Sequence, residues 1–293
     1  SLIFFYILGA IGFMIPIALI AAECSTGWPE EGGIYIWVKE AFGPSWGLFV
    51  AWIQWIYNII WYPSILSLLA MVVFYIIDPN LTHNKILLLV TINILFWIAT
   101  FFNCFGMRFA SGLSTVSAII GTLLPIGTFI IMGLIWLAHG HPIAITFNAK
   151  TIIPNITTSH NLGLLTGLIF GLIGLEMSAI HASDVKQPQR DYPRALLISA
   201  CIILVSMILG SLAIAIVIPD HQLNLASGII EAFQLYFQAY NLPWLTPIAA
   251  ICIVIGGIGG VSAWLLGPGR CMMIASREGI APRCFMKKNK YNA

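Results

Sequence analysis

Charge is what this 293-residue sequence has least of: only 8% of its residues are Asp, Glu, Lys or Arg, against about a quarter in an ordinary soluble domain. With 59% hydrophobic residues and a mean hydropathy of +0.95, so few charges cannot cover a water-facing surface. Residues 46–77 and 109–138 contain no charged residue at all, and each run exceeds the roughly 20 residues that a membrane-spanning helix needs. Several chemistries are missing as well. The six cysteines (Cys24, Cys104, Cys201, Cys252, Cys271, Cys284) form no C-x-x-C pair, so they read as small packing residues and neither a disulfide frame nor a zinc site is indicated. His-Glu-x-x-His, Gly-x-Ser-x-Gly and a P-loop are absent, which argues against an intramembrane enzyme and an ATP-driven pump, and no cofactor is expected. No basic stripe interleaves with aromatics, so nucleic acid is not an expected partner. No secretory leader pattern precedes the first apolar stretch.

What is present is a series of seven apolar segments, at about 2–22, 46–77, 84–102, 109–138, 160–182, 195–218 and 243–269. Lipid offers the backbone no hydrogen bonds, so each is expected to be helical. The predicted fold class is therefore an all-α polytopic membrane protein, with residues 1–293 forming a single transmembrane domain. Alternating the seven spans across the bilayer sorts Lys39, Arg108, Lys186, Arg190, Arg194, Arg270, Arg277, Arg283, Lys287, Lys288 and Lys290 to one side and leaves Lys85 and Lys150 on the other. By the positive-inside rule the first group faces the cytoplasm. The loops 23–45, 103–108, 183–194 and 270–293 are then cytoplasmic, and the first residue lies outside. Since Ser1 begins in mid-hydrophobic stretch and Lys287 to Ala293 resembles an interhelical loop, further sequence is expected at both ends.

Residues 34–38 predict a short interfacial helix, and 224–240 a helix lying flat as a lid with the lone charge Glu231. Pro16, Pro63 and Pro125 interrupt spans that neighbouring helices must then re-satisfy. The segments 46–77 and 109–138 are long enough to require strong tilt, a feature that suits transporters.

Glu176 is the only acidic residue well inside a span, and a carboxylate there is costly enough to make function the default reading. It is either a proton-titrating or gate-coupling group, or a structural residue hydrogen-bonded within the bundle. Gly167, Gly171 and Gly174 precede it. They serve close helix packing or a break that exposes backbone groups to a substrate, and the residues alone favour neither. His181 is either a proton relay or a satisfied polar residue at the span's end. Gln54, Tyr57 and Asn58 bring polar groups into an apolar helix, where interhelical bonding is the commoner role. Trp264 follows Gly256, Gly257, Gly259 and Gly260, so its ring either borders a narrow substrate face or looks into lipid. That glycine cluster lacks the preceding strand and the spacing of a dinucleotide fingerprint.

Three stretches resemble one family. Ile15-Pro16-Ile17-Ala18-Leu19, Ala22-Glu23 and Gly27-Trp28-Pro29-Glu30-Glu31-Gly32-Gly33-Ile34-Tyr35-Ile36-Trp37-Val38 are similar to the second helix and following loop of the glutamate/GABA antiporter group within the amino acid-polyamine-organocation (APC) transporter superfamily. Phe170 through Gly174-Leu175-Glu176 to His181, with Lys186-Gln187-Pro188-Gln189-Arg190-Asp191-Tyr192-Pro193, resembles its sixth helix and cytoplasmic exit. Ala263-Trp264-Leu265-Leu266-Gly267-Pro268-Gly269-Arg270 resembles its eighth. The resemblance implies an inverted-repeat bundle, with the seven spans as helices two to eight. It also implies a broken helix before Glu176, a coupling role for Glu176, and a substrate path bordered by Phe170, Gly171, Gly174, Trp264 and Asn58. The substrate would be an amino acid such as glutamate, exchanged for a compound such as GABA by alternating access, in a bacterial inner membrane. Counterparts of the first helix and of those after the eighth are not in the sequence, so the chain as given is not expected to transport alone; a non-functional fragment is an alternative. A seven-helix receptor shares the topology, but no Lys lies within a span to hold retinal. A channel would show a filter segment or repeated acidic residues, and neither is present.

Overall fold

The computed structural model describes residues 2–145, 159–219, 228–287 and Asn289, and among them there is no strand. The first span consists of α1 (Leu2–Gly9), a π-helical turn (Ala10–Met14) and α2 (Ile15–Gly27). It is followed by the short α3 (Ile34–Phe42) and the long α4 (Pro44–Ile77). A 3-10 turn (Pro79–His83) leads to α5 (Lys85–Asn103), whose first amides, Ile86 and Leu87, are capped by the Asn84 side chain at 3.1 Å each. The next span is α6 (Met107–Ala118), a π turn (Ile119–Leu123) and α7 (Leu124–Ala138). Then come α8 (Ser159–Leu172), a 3-10 segment (Leu175–Asp184), α9 (Pro188–Val217), α10 (Gly228–Ala239) and α11 (Leu245–Arg277).

Among the described residues seven helical segments are long and apolar enough to cross a membrane, at Leu2–Gly27, Pro44–Ile77, Lys85–Asn103, Phe109–Ala138, Leu162–Ala179, Pro188–Val217 and Leu245–Arg277. They coincide with the seven segments predicted from hydropathy. The chain is thus an all-α polytopic membrane protein. Three helices outrun their apolar stretch: α2 continues to Gly27, α9 starts at Pro188 and α11 continues to Arg277. Hydropathy reports where lipid ends, whereas the hydrogen-bond ladder propagates into water as long as no breaker intervenes. The exterior is oily, with Ile86 76% and Trp97 65% exposed, as a bilayer-facing surface requires.

Both π turns have one cause. Pro16 and Pro125 lack the amide that would bond the carbonyl four residues back, and their rings crowd it. Those carbonyls belong to Gly12 and Gly121, and in each span the π turn encloses that glycine and ends two residues before the proline. Pro63, by contrast, sits within an unbroken α4.

The chain packs as two compact units. The first comprises 1–54, 146–209 and 267–287, with a core of Met14, Ala21, Leu172, Leu175, Ala179, Tyr192 and Leu196. The second comprises 55–145, 210–266 and 288–293. One of its clusters centres on Phe129, Phe233 and Tyr236, another on Leu66, Leu69, Leu95 and Val261. The predicted lid falls partly on residues 224–227, which lie outside the described residues. Its described part, α10, is an anchor: Ile230, Ala232, Phe233, Tyr236 and Phe237 are buried, and the Tyr236 hydroxyl donates to Ala213 O at 2.7 Å.

The glycines of α11 are filled by close packing inside the second unit. A Cβ on Gly256 would lie 2.6 Å from the Gly121 carbonyl, one on Gly257 2.4 Å from Leu69, and one on Gly259 2.1 Å from Ser117. The narrow face ahead of Trp264 is therefore occupied by α4 and the π-turned span.

Candidate substrate site

Span five does not cross as one helix. α8 stops at Leu172, and the chain resumes as a 3-10 segment from Leu175. Between them Gly174 adopts φ +123, a region that a residue with a Cβ rarely enters. The break frees backbone groups, and Glu176 answers one of them by accepting the Gly174 N–H at Oε2, 3.1 Å away. Glu176 itself is half-buried.

Both sides of the break are anchored in the first unit. Leu172, Leu175 and Ala179 are buried in its core. Downstream, the Ser178 hydroxyl donates to Leu175 O and lies 2.7 Å from the Tyr192 hydroxyl, tying the segment to α9. The Gln54 amide of α4 donates to Met177 Sδ, while its Oε1 accepts from the fully buried Cys271 thiol of α11, which also reaches Gly32 O at 3.3 Å. In a membrane-spanning helix opened in this way, with a carboxylate at the break and its flanks fixed, backbone groups are left free to meet a ligand.

The other proposed residues divide between the units. Gly171 and Phe170 lie on the last turn of α8, in the first unit; Phe170 is 40% exposed, and a Cβ on Gly171 would meet only the tip of Met207. A Cβ on Gly167 would meet nothing within 4 Å, so these glycines do not form the close packing face that α11 does. Asn58 and Trp264 belong to the second unit. Asn58 is 1% exposed, and Trp264 stacks on Trp61 with centroids 5.0 Å apart and lies 5.8 Å from Tyr57. Trp61 was not singled out from the sequence, yet a signal existed: Gln54, Tyr57, Asn58 and Trp61 fall at i, i+3, i+4 and i+7 on one face of α4. The side chain of His181 lies outside the described residues. A cavity of about 190 Å³ in the second unit, lined by Tyr75, Gln234, Gln238 and Thr246, includes none of the predicted residues.

A second cluster was missed altogether. The Glu278 carboxylate accepts from the Tyr35 hydroxyl at 2.8 Å and from Lys39 Nζ at 2.9 Å, joining α3 to the residue that follows α11. Burial alone would raise the Glu278 carboxyl, but the hydrogen bonds from Lys39 and Tyr35 and the Lys39 charge outweigh it and hold it below the ordinary range. Lys39 is held upward, chiefly by the same hydrogen bond. Partners 239 residues apart leave no pattern in a linear sequence.

A family profile described as "Amino acid permease" matches residues 1–293. The chain belongs to the amino acid permease family. This sets the chain within the APC superfamily whose motifs its sequence resembles, and the receptor reading falls away. The permease is 47% identical to an uncharacterized transporter of Legionella pneumophila over 293 residues, covering 100% of this chain and 63% of that protein. It is 29% identical to a glutamate/gamma-aminobutyrate antiporter of Lactococcus lactis over 297 residues, covering 99% of this chain and 58% of the relative. A probable agmatine/putrescine antiporter of the same species is 23% identical over 301 residues, with 61% of its length covered. The chain thus spans about three fifths of the length of these relatives.

Proposed function

We propose that this permease belongs to a secondary antiporter of a bacterial plasma membrane that exchanges an amino acid such as glutamate for a related compound such as GABA by alternating access. The observation that carries this reading is the glycine break at Gly174 with Glu176 folded back onto it. In such transporters, broken helices supply backbone groups for a small zwitterion, and one bundle then rocks about the site without consuming ATP. Similarity to proteins named as antiporters supports exchange over uniport. Where a cytoplasmic decarboxylase replaces the carboxylate of the imported acidic amino acid with a proton and releases CO2, each turnover consumes one cytoplasmic proton, and the exchange supplies the substrate and exports the product. In this reading Glu176 couples or gates, and the resemblance adds Gly171, Gly174, Phe170, Trp264 and Asn58 as residues of the substrate path.

The basic loops are proposed to be cytoplasmic, by their Lys and Arg content. Two contacts favour the sorting behind that assignment: Lys39 meets Glu278, joining loops 23–45 and 270–293, and Asn289 donates to Cys104 O at 2.7 Å, joining 270–293 to 103–108.

The test is counterflow: the full-length gene product in liposomes loaded with GABA or unlabelled glutamate should accumulate labelled glutamate. Uptake independent of the internal solute, or none with any amino acid pair, would sink the exchange.

A further inference from the structure

The connection between α10 and α11 is stiff. Asn241 adopts φ +58. Its N–H bonds Gln238 O at 3.1 Å and the Leu242 N–H bonds Phe237 O at 2.7 Å, a Schellman cap that fixes how α10 ends. Pro243 and Pro247 restrict the backbone on either side of the first turn of α11. Within α10, Ile230, Phe233 and Phe237 are buried, which turns Glu231, Gln234 and Gln238, at i, i+3 and i+7, to another face of the helix. That face, the last turn of α4 and the start of α11 border the cavity of about 190 Å³, lined by Tyr75, Ile76, Gln234, Gln238 and Thr246 together with the two prolines. All of these residues belong to the second unit.

The polar groups of this cavity are not used up by the protein. The Tyr75 hydroxyl donates to Gln234 Oε1, so both Nε2–H donors of that amide remain for the cavity. Thr246 carries a buried hydroxyl that makes no hydrogen bond among the described residues. Other hydroxyls in the spans, those of Thr100, Thr115 and Thr128, bond the carbonyl four residues back at 2.9 Å. Thr246 is the second residue of α11, so no carbonyl of its own helix lies four residues back. A buried polar group without a partner calls for a bound water or ligand. Glu231, on the same face of α10, acts on Tyr75 electrostatically, and among the described residues no Lys or Arg lines the cavity. The field therefore disfavours a simple anion and favours an ammonium group, while the amide and hydroxyl donors suit a carboxylate. The volume is that of about six water molecules at about 30 Å³ each, enough for a solute of amino-acid size.

We propose that this cavity binds a small zwitterion, its carboxylate held by the Gln234 amide and the Thr246 hydroxyl and its ammonium turned toward Glu231. The capped end of α10 and the two prolines hold the walls in place before the ligand arrives, so little ordering is left for binding to offset. The cavity lies on the face opposite the loops proposed to be cytoplasmic and shares no residue with the break at Gly174. It is a second site, and it does not rest on the proposed exchange.

The full-length gene product carrying Gly174→Ala, which disables the broken-helix site, is purified in detergent and titrated with isotope-labelled GABA followed by nuclear magnetic resonance line broadening. Saturable binding is expected. Thr246→Val, which keeps the shape of the side chain, and Gln234→Leu each delete a hydrogen bond to a charged group and should weaken it about tenfold or more. Thr246→Ser keeps the hydroxyl and should retain the affinity, and acetate, which has no ammonium, should not compete. In the protein with Gly174 intact, Thr246→Val should likewise remove a binding phase. Absence of saturable binding in both backgrounds, binding that Thr246→Val and Gln234→Leu leave unchanged, or equal binding of acetate overturns the site. Failure of the exchange shows separately, as counterflow absent from the unsubstituted protein while the Thr246-dependent binding persists. Circular dichroism of each variant confirms that the helices are retained.

Discussion

Glu176 turns back on Gly174, two residues earlier, and accepts its amide at 3.1 Å across the point where the fifth span is broken. The only carboxylate well inside a span is thereby attached to the one backbone turn that makes the span discontinuous.

Glu176→Gln keeps a carbonyl acceptor for the Gly174 amide but cannot titrate. Its melting temperature in detergent should match the unsubstituted protein, while the pH dependence of counterflow flattens. Glu176→Ala removes the acceptor as well and should cost about 1 kcal/mol of stability. An unaltered pH profile in the Gln variant would exclude the coupling role.

Gly174→Ala forces a Cβ into a left-handed backbone and should destabilise by about 1–2 kcal/mol, with loss of counterflow. Gly167→Ala lies in the helix interior with open space around it and should be neutral or stabilising by up to about 1 kcal/mol. Thermal unfolding of the two variants side by side measures the difference. Equal effects would mean that the break tolerates a side chain.

Gly121→Ala and Gly256→Ala each place a methyl group against backbone, 2.2 Å and 2.6 Å from the facing glycine, where no rotamer change brings relief. Losses of at least about 1–3 kcal/mol are expected, seen as lower melting temperature and a smaller monodisperse fraction in size-exclusion chromatography. Gly260→Ala, with nothing within 4 Å, is the control and should behave as the parent.

The Tyr35–Glu278–Lys39 cluster makes two separable contributions. Lys39→Met removes a largely solvent-screened pair and should cost about 0.2–1 kcal/mol. Glu278→Ala also leaves the buried Tyr35 hydroxyl without its acceptor, and should cost about 1–3 kcal/mol. The signs of the shifts fix the pH window. Glu278, held below its ordinary value, stabilises fully above the unfolded carboxylate value and loses that contribution as pH falls through its folded value. Lys39, held above its ordinary value, contributes fully below the unfolded lysine value and loses its share as pH rises through the folded one. The melting-temperature difference between parent and Glu278→Ala should therefore persist from mildly acidic to mildly alkaline pH and narrow at both extremes. A difference that grows on acidification would contradict the cluster.

The seven spans and the pairing of Glu176 with preceding glycines were determined by the sequence itself, because lipid imposes helices on every apolar run and makes a lone carboxylate stand out. The same glycine-rich text, however, permitted packing or breakage ahead of Glu176, and a narrow face open to substrate or not in α11. Only the tertiary structure decided between them: Gly256, Gly257 and Gly259 each have a neighbouring chain within Cβ reach, whereas Gly174 has a positive φ and a carboxylate attached to its amide. The Glu278 cluster also belongs to the structure, because it depends on a contact between distant parts of the chain. Hydropathy along a sequence records which solvent each segment prefers, but not which neighbours meet once the segments pack.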